Sequence, residues 1–368
     1  MNKIFPLLLI ALLLISCGES ETIKIGVVGS MSGNQSELSV SGRRGIELAV
    51  SIINEQGGLL GKEVELVVKD DLNDMSRAGD IVKEFVNEDI EIVIGPFTSR
   101  MMLAAYDSVE AHEILYISPT VCADSLNQKD DHFIRFIASS REQAVALNEV
   151  ALKNSDKEFI VIIDETNIGF NQQLYQNFKD ILEGNNGQIN YVLEYSVLDS
   201  GIFKTLRDSI KDLDVDGVFI ISNASDFATI AQNLVLNDFD ASLYGTLWSH
   251  TNDILRLGGK DIENAYLVSG ISQSEVYHDF NRVFLDYYDR YGENLSFSAM
   301  YSYETMMALA EAISKGRSSD WEKAKSTLLE IKNFNGLQFQ YELDKYGDSS
   351  RPYKIDQIIN GGFLTVED

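Results

Sequence analysis

Two short stretches carry the side chains best placed for chemistry: IVIGPFTSR, from Ile92 to Arg100, and ILYISPT, from Ile114 to Thr120. Each is a run of β-formers long enough for a fully buried strand, and each ends in small hydroxyl residues beside a Gly or Pro. In a parallel sheet such loops lie at the carboxyl edge, where small ligands bind. Thr98 or Ser99 can cap the amphipathic helix expected from Met101 to His112, leaving free N–H groups at its positive end. The chemistry on offer is recognition, because a carboxylate or any acceptor-rich head group fits such an end. An ordinary capped strand-to-helix turn uses the same residues; two such loops on neighbouring strands are what favour a site.

Reaction chemistry finds less support. The four histidines, at 112, 132, 250 and 278, form no HExxH pair, and there is no CxxC and no GxSxG elbow. In GLLGKE, around Lys62, the first glycine is misplaced for a phosphate loop, and Glu63 stands where Ser or Thr is needed. The spacing of Gly26, Gly29 and Gly33 is not the dinucleotide fingerprint. No nucleophile is assembled with a base, so neither an enzyme nor a cofactor or metal is expected.

The N-terminus points to export. Lys3 precedes twelve residues, Ile4 to Ile15, that are apolar apart from Pro6, and then come Ser16 and Cys17. The run is shorter than the roughly twenty residues of a membrane span and has the layout of a secretory signal. Leu14-Ile15-Ser16-Cys17 matches the lipobox of bacterial lipoproteins, in which the cysteine is acylated and becomes the mature N-terminus. The alternative is a cleaved signal that merely contains a cysteine. Residues 1–17 are therefore expected to be a signal peptide with Cys17 lipidated and 18–22 a tether, anchoring an exported chain that faces the periplasm or the cell exterior.

Thirty basic against fifty-seven acidic residues give a net charge of −27, which argues against nucleic acid or anionic lipid surfaces as partners. Cys122 is the only other cysteine, so acylation of Cys17 leaves no intramolecular disulfide. Burial must then supply the stability, and 45% hydrophobic residues in 368 allow a large core.

The elements that position the two loops alternate strand and helix almost without pause. IKIGVV (Ile23 to Val28) precedes a helix expected from Gly42 to about Asn54, and VELVVK (Val64 to Lys69) one from Ser76 to Asn87; Ile92 to Ile94 and Leu115 to Ile117 complete a doubly wound half. After HFIRFI (His132 to Ile137) the pattern restarts through FIVIID, INYVLEY, GVFII, SLYGTLW and AYLVSG, with helices through Leu174 and Phe178, around Leu206 and around Ile230. From about Ser274 the texture is helical, over Tyr277 to Tyr291, Ala299 to Ser314 and Trp321 to Ile331. Strand-like pieces return at LQFQYEL and YKIDQII.

The residues IGVVGSMSG, GRRGIELAVSIINEQGGLLGKEVELVVKDD, IVIGPFTS and ISPT resemble, in order and spacing, the N-terminal region of type I periplasmic binding proteins of the leucine/isoleucine/valine-binding family. The likeness continues more loosely through DETNIGF, YGTLWS and FNGLQFQYELDKYGD. It implies an α/β fold of two doubly wound three-layer lobes with parallel-rich sheets, joined by three hinge crossovers, that close on a small solute. The crossings would fall near Ala138, Ser272 and Gly336. That makes 23–138 plus 273–335 the N-terminal lobe and 139–272 plus 336–368 the C-terminal lobe.

The same resemblance implies the ligand positions. Thr98 and Ser99 after GP, and Thr120 and Cys122 after SP, would hold the polar head of an amino acid. Cys122 stands where Thr or Ser is common, so it is either a weak thiol donor or a small buried residue. Leu38 falls where branched-chain binders place a tryptophan. Ile168 replaces the family's tyrosine, and Leu247 replaces the acidic residue that accepts the substrate ammonium, leaving Asp164, Glu165 or Asp226 as candidates for that role. Trp248 and His250 follow the same strand, and Arg100 adjoins the hydroxyl loop. The implied function is capture of an amino acid, branched-chain or a similar small polar solute, by a monomer that delivers it to an ABC permease. The rival reading is a ligand sensor or cell-envelope regulator built on the same fold.

Overall fold

The computed structural model describes residues 22–33, 36–273 and 278–366; the expected signal peptide, its lipidation site Cys17 and residues 18–21 of the tether lie outside them. Among the described residues no helix is long and apolar enough to cross a membrane.

The first sheet is wholly parallel and contains β1 (Ile23–Gly29), β2 (Val64–Asp70), β3 (Ile92–Ile94), β4 (Leu115–Ser118) and β5 (Phe133–Arg135), in the order β2-β1-β3-β4-β5. The second repeats that order as β7-β6-β8-β9-β10, with β6 (Glu158–Asp164), β7 (Gln188–Tyr195), β8 (Gly217–Ile221), β9 (Ser242–Gly245) and β10 (Tyr266–Ser269). A small antiparallel sheet holds β11 (Asn333–Asn335), β12 (Gln340–Leu343) and β13 (Ser349–Ser350). The chain then adds β14 (Lys354–Ile359) and β15 (Gly362–Thr365) antiparallel to the edge of the second sheet. In both parallel runs the order reverses beside the first strand, which opens a crevice at the carboxyl ends.

Strand alternation builds three layers in each half. On β1, Ile25 and Val27 face the helices Glu37–Glu55 and Phe297–Gly316, while Val28 on the other face packs with the helices Met75–Asn87 and Ser99–His112. On β6, Phe159, Val161 and Ile163 meet Leu147 and Phe178, while Ile160 and Ile162 meet Leu206 and Phe227. The helices Glu37–Glu55 and Phe297–Gly316 touch at backbone distance: a Cβ on Gly45 would lie 2.0 Å from the carbonyl oxygen of Ala299. Nearby, Ser298 Oγ donates to the Leu38 carbonyl at 2.7 Å.

Two of the boundaries that differ from expectation bear on the site. The first long helix begins at Glu37 rather than Gly42, because Leu38, Ser39 and Ser41 are buried and Ser39 Oγ accepts from Ser30 N at 3.1 Å. The β9 strand stops at Gly245, which leaves Leu247 and Trp248 in a turn. The small sheet also stays with the first one. Arg135 N donates to Gly347 O at 3.0 Å, Arg135 Nε to Asp348 at 2.8 Å, and Phe136 meets Phe334 and Tyr341 edge-on. The last crossing into the second sheet therefore falls between Arg351 and Lys354, beyond Gly336.

Candidate functional site

The carboxyl-end loops of the two parallel sheets meet around one cavity of about 20 Å³. That is space for about one water molecule. From the first half come Leu38 at the start of its helix, Phe97 and Ser99 after β3, and Thr120 and Cys122 after β4. From the second come Gln143, Asn167 and Phe170, together with Leu247 and Trp248 after β9. Ile137 and Phe297 complete the wall. Wider grooves of about 560 and 490 Å³ lie elsewhere, and neither gathers the loops after β3, β4, β6 and β9.

Local geometry explains how these side chains are presented. Gly95 has φ +121°, and a Cβ there would sit 2.1 Å from the Val28 carbonyl oxygen, so glycine lets the chain turn out of β3 against β1. Ser118 Oγ donates to Pro96 O at 2.7 Å, and Thr120 Oγ1 to Phe97 O at 2.7 Å, so the two hydroxyl loops are tied together. Ser99 is the first residue of the helix Ser99–His112; it is 2% exposed, and its hydroxyl has no protein partner among the described residues. Cys122 is buried, and burial pushes its thiol up to about 12, so it stays protonated. Gln143 Nε2 lies 3.7 Å from Cys122 Sγ, and its Oε1 accepts from Leu247 N at 3.2 Å.

Of the eight ligand positions expected from sequence, Leu38, Ser99, Thr120, Cys122, Leu247 and Trp248 are brought together here. Thr98 and Ile168 are not. Thr98 takes the N-cap position, but its hydroxyl makes no capping bond and is buried without a partner. The cap comes from across the crevice, where Asn167 Oδ1 accepts from Arg100 N at 3.1 Å. Ile168 opens the helix Ile168–Gly184 and is 53% exposed, and its neighbours Asn167 and Phe170 line the wall instead. Sequence reasoning also passed over Gln143, Asn167 and Phe170. Only the position of Asn167, between a strand end and a helix, was a readable signal.

The other candidates have different employment. His250 Nε2 pairs with buried Asp356 at 2.8 Å, and its ring stacks on Phe363. Arg100 Nη1 reaches the Asn73 carbonyl at 3.3 Å. Asp164 Oδ1 accepts from Thr166 N at 2.7 Å, and burial pushes its carboxyl up to about 6. Glu165 accepts from Ser196 Oγ and Asp226 from Tyr195 OH, each at 2.8 Å. None of these lines the cavity.

Hydrogen bonds around the rim clasp the halves. Glu37 accepts from Thr251 Oγ1 at 2.6 Å and from Asp253 N at 3.4 Å. Burial pushes its carboxyl up to about 7; the Thr251 bond opposes this and the charge of Asp253 adds to it. Asn252 Nδ2 donates to Asn294 O at 2.9 Å, while Asp124 takes Asn177 Nδ2 at 2.8 Å and gives its own N–H to Gln173.

Residues 22–361 match the family described as Periplasmic binding protein. The chain belongs to that family, as a type I member of the leucine/isoleucine/valine-binding group. A Leu/Ile/Val-binding protein of Citrobacter freundii is 26% identical over 252 residues, 67% of this chain. The matched stretch spans 60% of that curated relative's length. Among solved structures, a leucine binding protein of Thermotoga maritima superposes with TM-score 0.85 at 20% identity, covering 94% of this chain and 98% of the other. A branched-chain amino acid transporter substrate binding protein of Streptococcus pneumoniae, in complex with isoleucine, gives 0.84 at 22% identity over 95% and 100%. These likenesses establish the fold of this periplasmic binding protein, and its cavity lies at the crevice between the two doubly wound sheets.

Proposed function

We propose that this periplasmic binding protein captures a small solute in the crevice and closes on it, as the binding component of an ABC importer. The observation that carries the reading is one shut cavity with walls from both sheets' carboxyl ends. A guest larger than water enters only when the walls part, and a guest that touches both walls favours the closed form. The parts that separate are residues 23–138 with 273–350, and 139–272 with the remainder. This is the division expected from sequence, with the last crossing moved beyond Gly336 because β12 and β13 pack on the first sheet.

The crossings are held together in a way that suits a hinge. The Gln338 amide makes two bonds to the backbone of Ser272, donating to its carbonyl and accepting from its N–H at 2.9 Å each, and Tyr353 OH donates to Ala138 O at 2.9 Å. Export and anchoring through Cys17 would place the protein beside a membrane permease, acting as a monomer. The hydroxyl head site and the apolar wall accord with the names of the relatives, which are amino-acid binders. Ser99 and Thr120 would hold the polar head, and Leu38, Leu247 and Trp248 the body.

Thermal-shift screening of the purified protein against amino acids, their analogues, organic acids, amides and sugars should give a hit, because a ligand of the folded state raises the melting point. Ser99→Ala should weaken binding of that hit about fivefold, the worth of roughly one hydrogen bond. A hit bound equally well by the alanine variant, or small-angle scattering unchanged by saturating ligand, would count against the crevice as the site.

A further inference from the structure

The polar groups of the cavity are unequal in kind. No charged side chain of either sign lines it. Two of its acceptors are already engaged once, since Gln143 Oε1 takes Leu247 N–H and Asn167 Oδ1 takes Arg100 N–H, and neither carries a formal charge. The donors are freer. Ser99, 2% exposed, has an unpartnered hydroxyl in the wall, and Asn167 Nδ2 has no protein partner among the described residues. Ser99 also opens a helix of 14 residues whose first-turn N–H groups have no carbonyl of their own to pair with. The rest of the wall is apolar and partly aromatic, with Phe170 and Trp248 edge to face at 6.5 Å.

An α-ammonium group brings three donors and a positive charge into this setting. Thr120 Oγ1 can offer lone pairs, but its own proton is committed to Phe97 O, and Leu247 offers nothing. A desolvated ammonium without a carboxylate partner is strongly disfavoured. A carboxylate brings only acceptors and meets a hydroxyl, an amide N–H and the positive end of a helix.

We infer that the ligand is an apolar monocarboxylate that lacks an α-ammonium group, a branched or aromatic acid, with its carboxylate on Ser99 and its body among Phe97, Phe170, Leu247 and Trp248. This rests on the solute-capture reading and narrows it.

Calorimetry on the whole protein at neutral pH, with matched pairs, tests it: leucine against 4-methylpentanoate, and phenylalanine against 3-phenylpropanoate. At least one deaminated acid should bind, and tenfold or more tighter than its amino acid. Leu247→Glu, which adds a carboxylate to the wall, should reverse the preference; the wild-type comparison stands even if that variant folds poorly. An amino acid that binds as tightly as its deaminated partner overturns the inference and leaves solute capture intact. The inference also falls if leucine binds more tightly and loses that advantage in Asp164→Asn, because the unpartnered Asp164 Oδ2 would then be the ammonium partner. Silence from all four acids while another class of solute binds overturns it too, and silence from every class sinks both readings.

Discussion

Glu304→Ala is expected to destabilise the protein by about 3–5 kcal/mol, the usual consequence of leaving one member of a buried ion pair alone. Glu304, on the helix Phe297–Gly316, pairs with Arg351, and their side chains are 5% and 3% exposed. The guanidinium is sandwiched between the rings of Tyr301 and Tyr341, at 3.8 and 4.2 Å from their centroids. Glu304 Oε1 also accepts from Leu337 N at 2.6 Å. Alanine would strip the cation of its counter-charge and the peptide of its acceptor, while Arg351 Nη1 is already buried without a partner. The double variant Glu304→Ala, Arg351→Leu should recover part of the loss, since it removes both charges. Denaturant unfolding measures both. A loss below about 1 kcal/mol for Glu304→Ala would mean that the pair is not the anchor of the region where the chain re-enters the second sheet.

Ligand affinity is expected to rise as the solution is acidified from pH 8 to pH 5.5, by about thirtyfold. On the proposed closure the source is Glu37, whose carboxyl is buried against Thr251 and Asp253 of the other half and would lose those contacts when the crevice opens. In the closed form it is pushed up to about 7, whereas freed to solvent it returns toward 4.5. Between those values the closed form binds more protons than the open one, so closure strengthens as pH falls through 7 and weakens as it rises. That factor is the full shift counted over this span of pH, and partial solvent contact lowers it. Asp253 and its partner Arg256, 2.6 Å apart, are the charged groups that act on Glu37 from the facing helix, and the positive end of that pair moderates the repulsion. Glu37→Gln keeps an acceptor for Thr251 and should flatten the profile. A wild-type profile already flat between pH 5.5 and 8, or one unchanged by the amide, would rule the latch out.

Much of the fold was legible because buried parallel strands write themselves as unbroken apolar runs: Ile92–Ile94 and Gly217–Ile221 match their expected limits. The start of the first long helix was not, since Glu37 to Ser41 are mostly polar or small and only tertiary burial makes them helical. The same division holds at the site. Ser99 and Thr120 announced themselves as hydroxyls at strand ends, Trp248 as an aromatic after the strand SLYGTLW, and Leu38, Cys122 and Leu247 came from alignment with a family pattern. Gln143 is a buried amide whose partner Leu247 lies 104 residues away, so nothing local marks it, whereas Asn167 sits at a strand-to-helix junction and only its partner Arg100, across the crevice, is hidden from local reading. Arg351 and Glu304 are 47 residues apart and unreadable as a pair for the same reason.

The close seating of the helix Phe297–Gly316 on Glu37–Glu55 has a temporal side. The bond from Ser298 to Leu38 joins residues 260 apart in the chain. A ribosome working from the N-terminus finishes the five strands of the first sheet long before it makes the helix that roofs one of its faces. Until then an apolar surface stands open, and closing so long a loop is slow. Such late completion holds the nascent polypeptide in an unfinished state, the state in which a thread can still pass through a translocation channel.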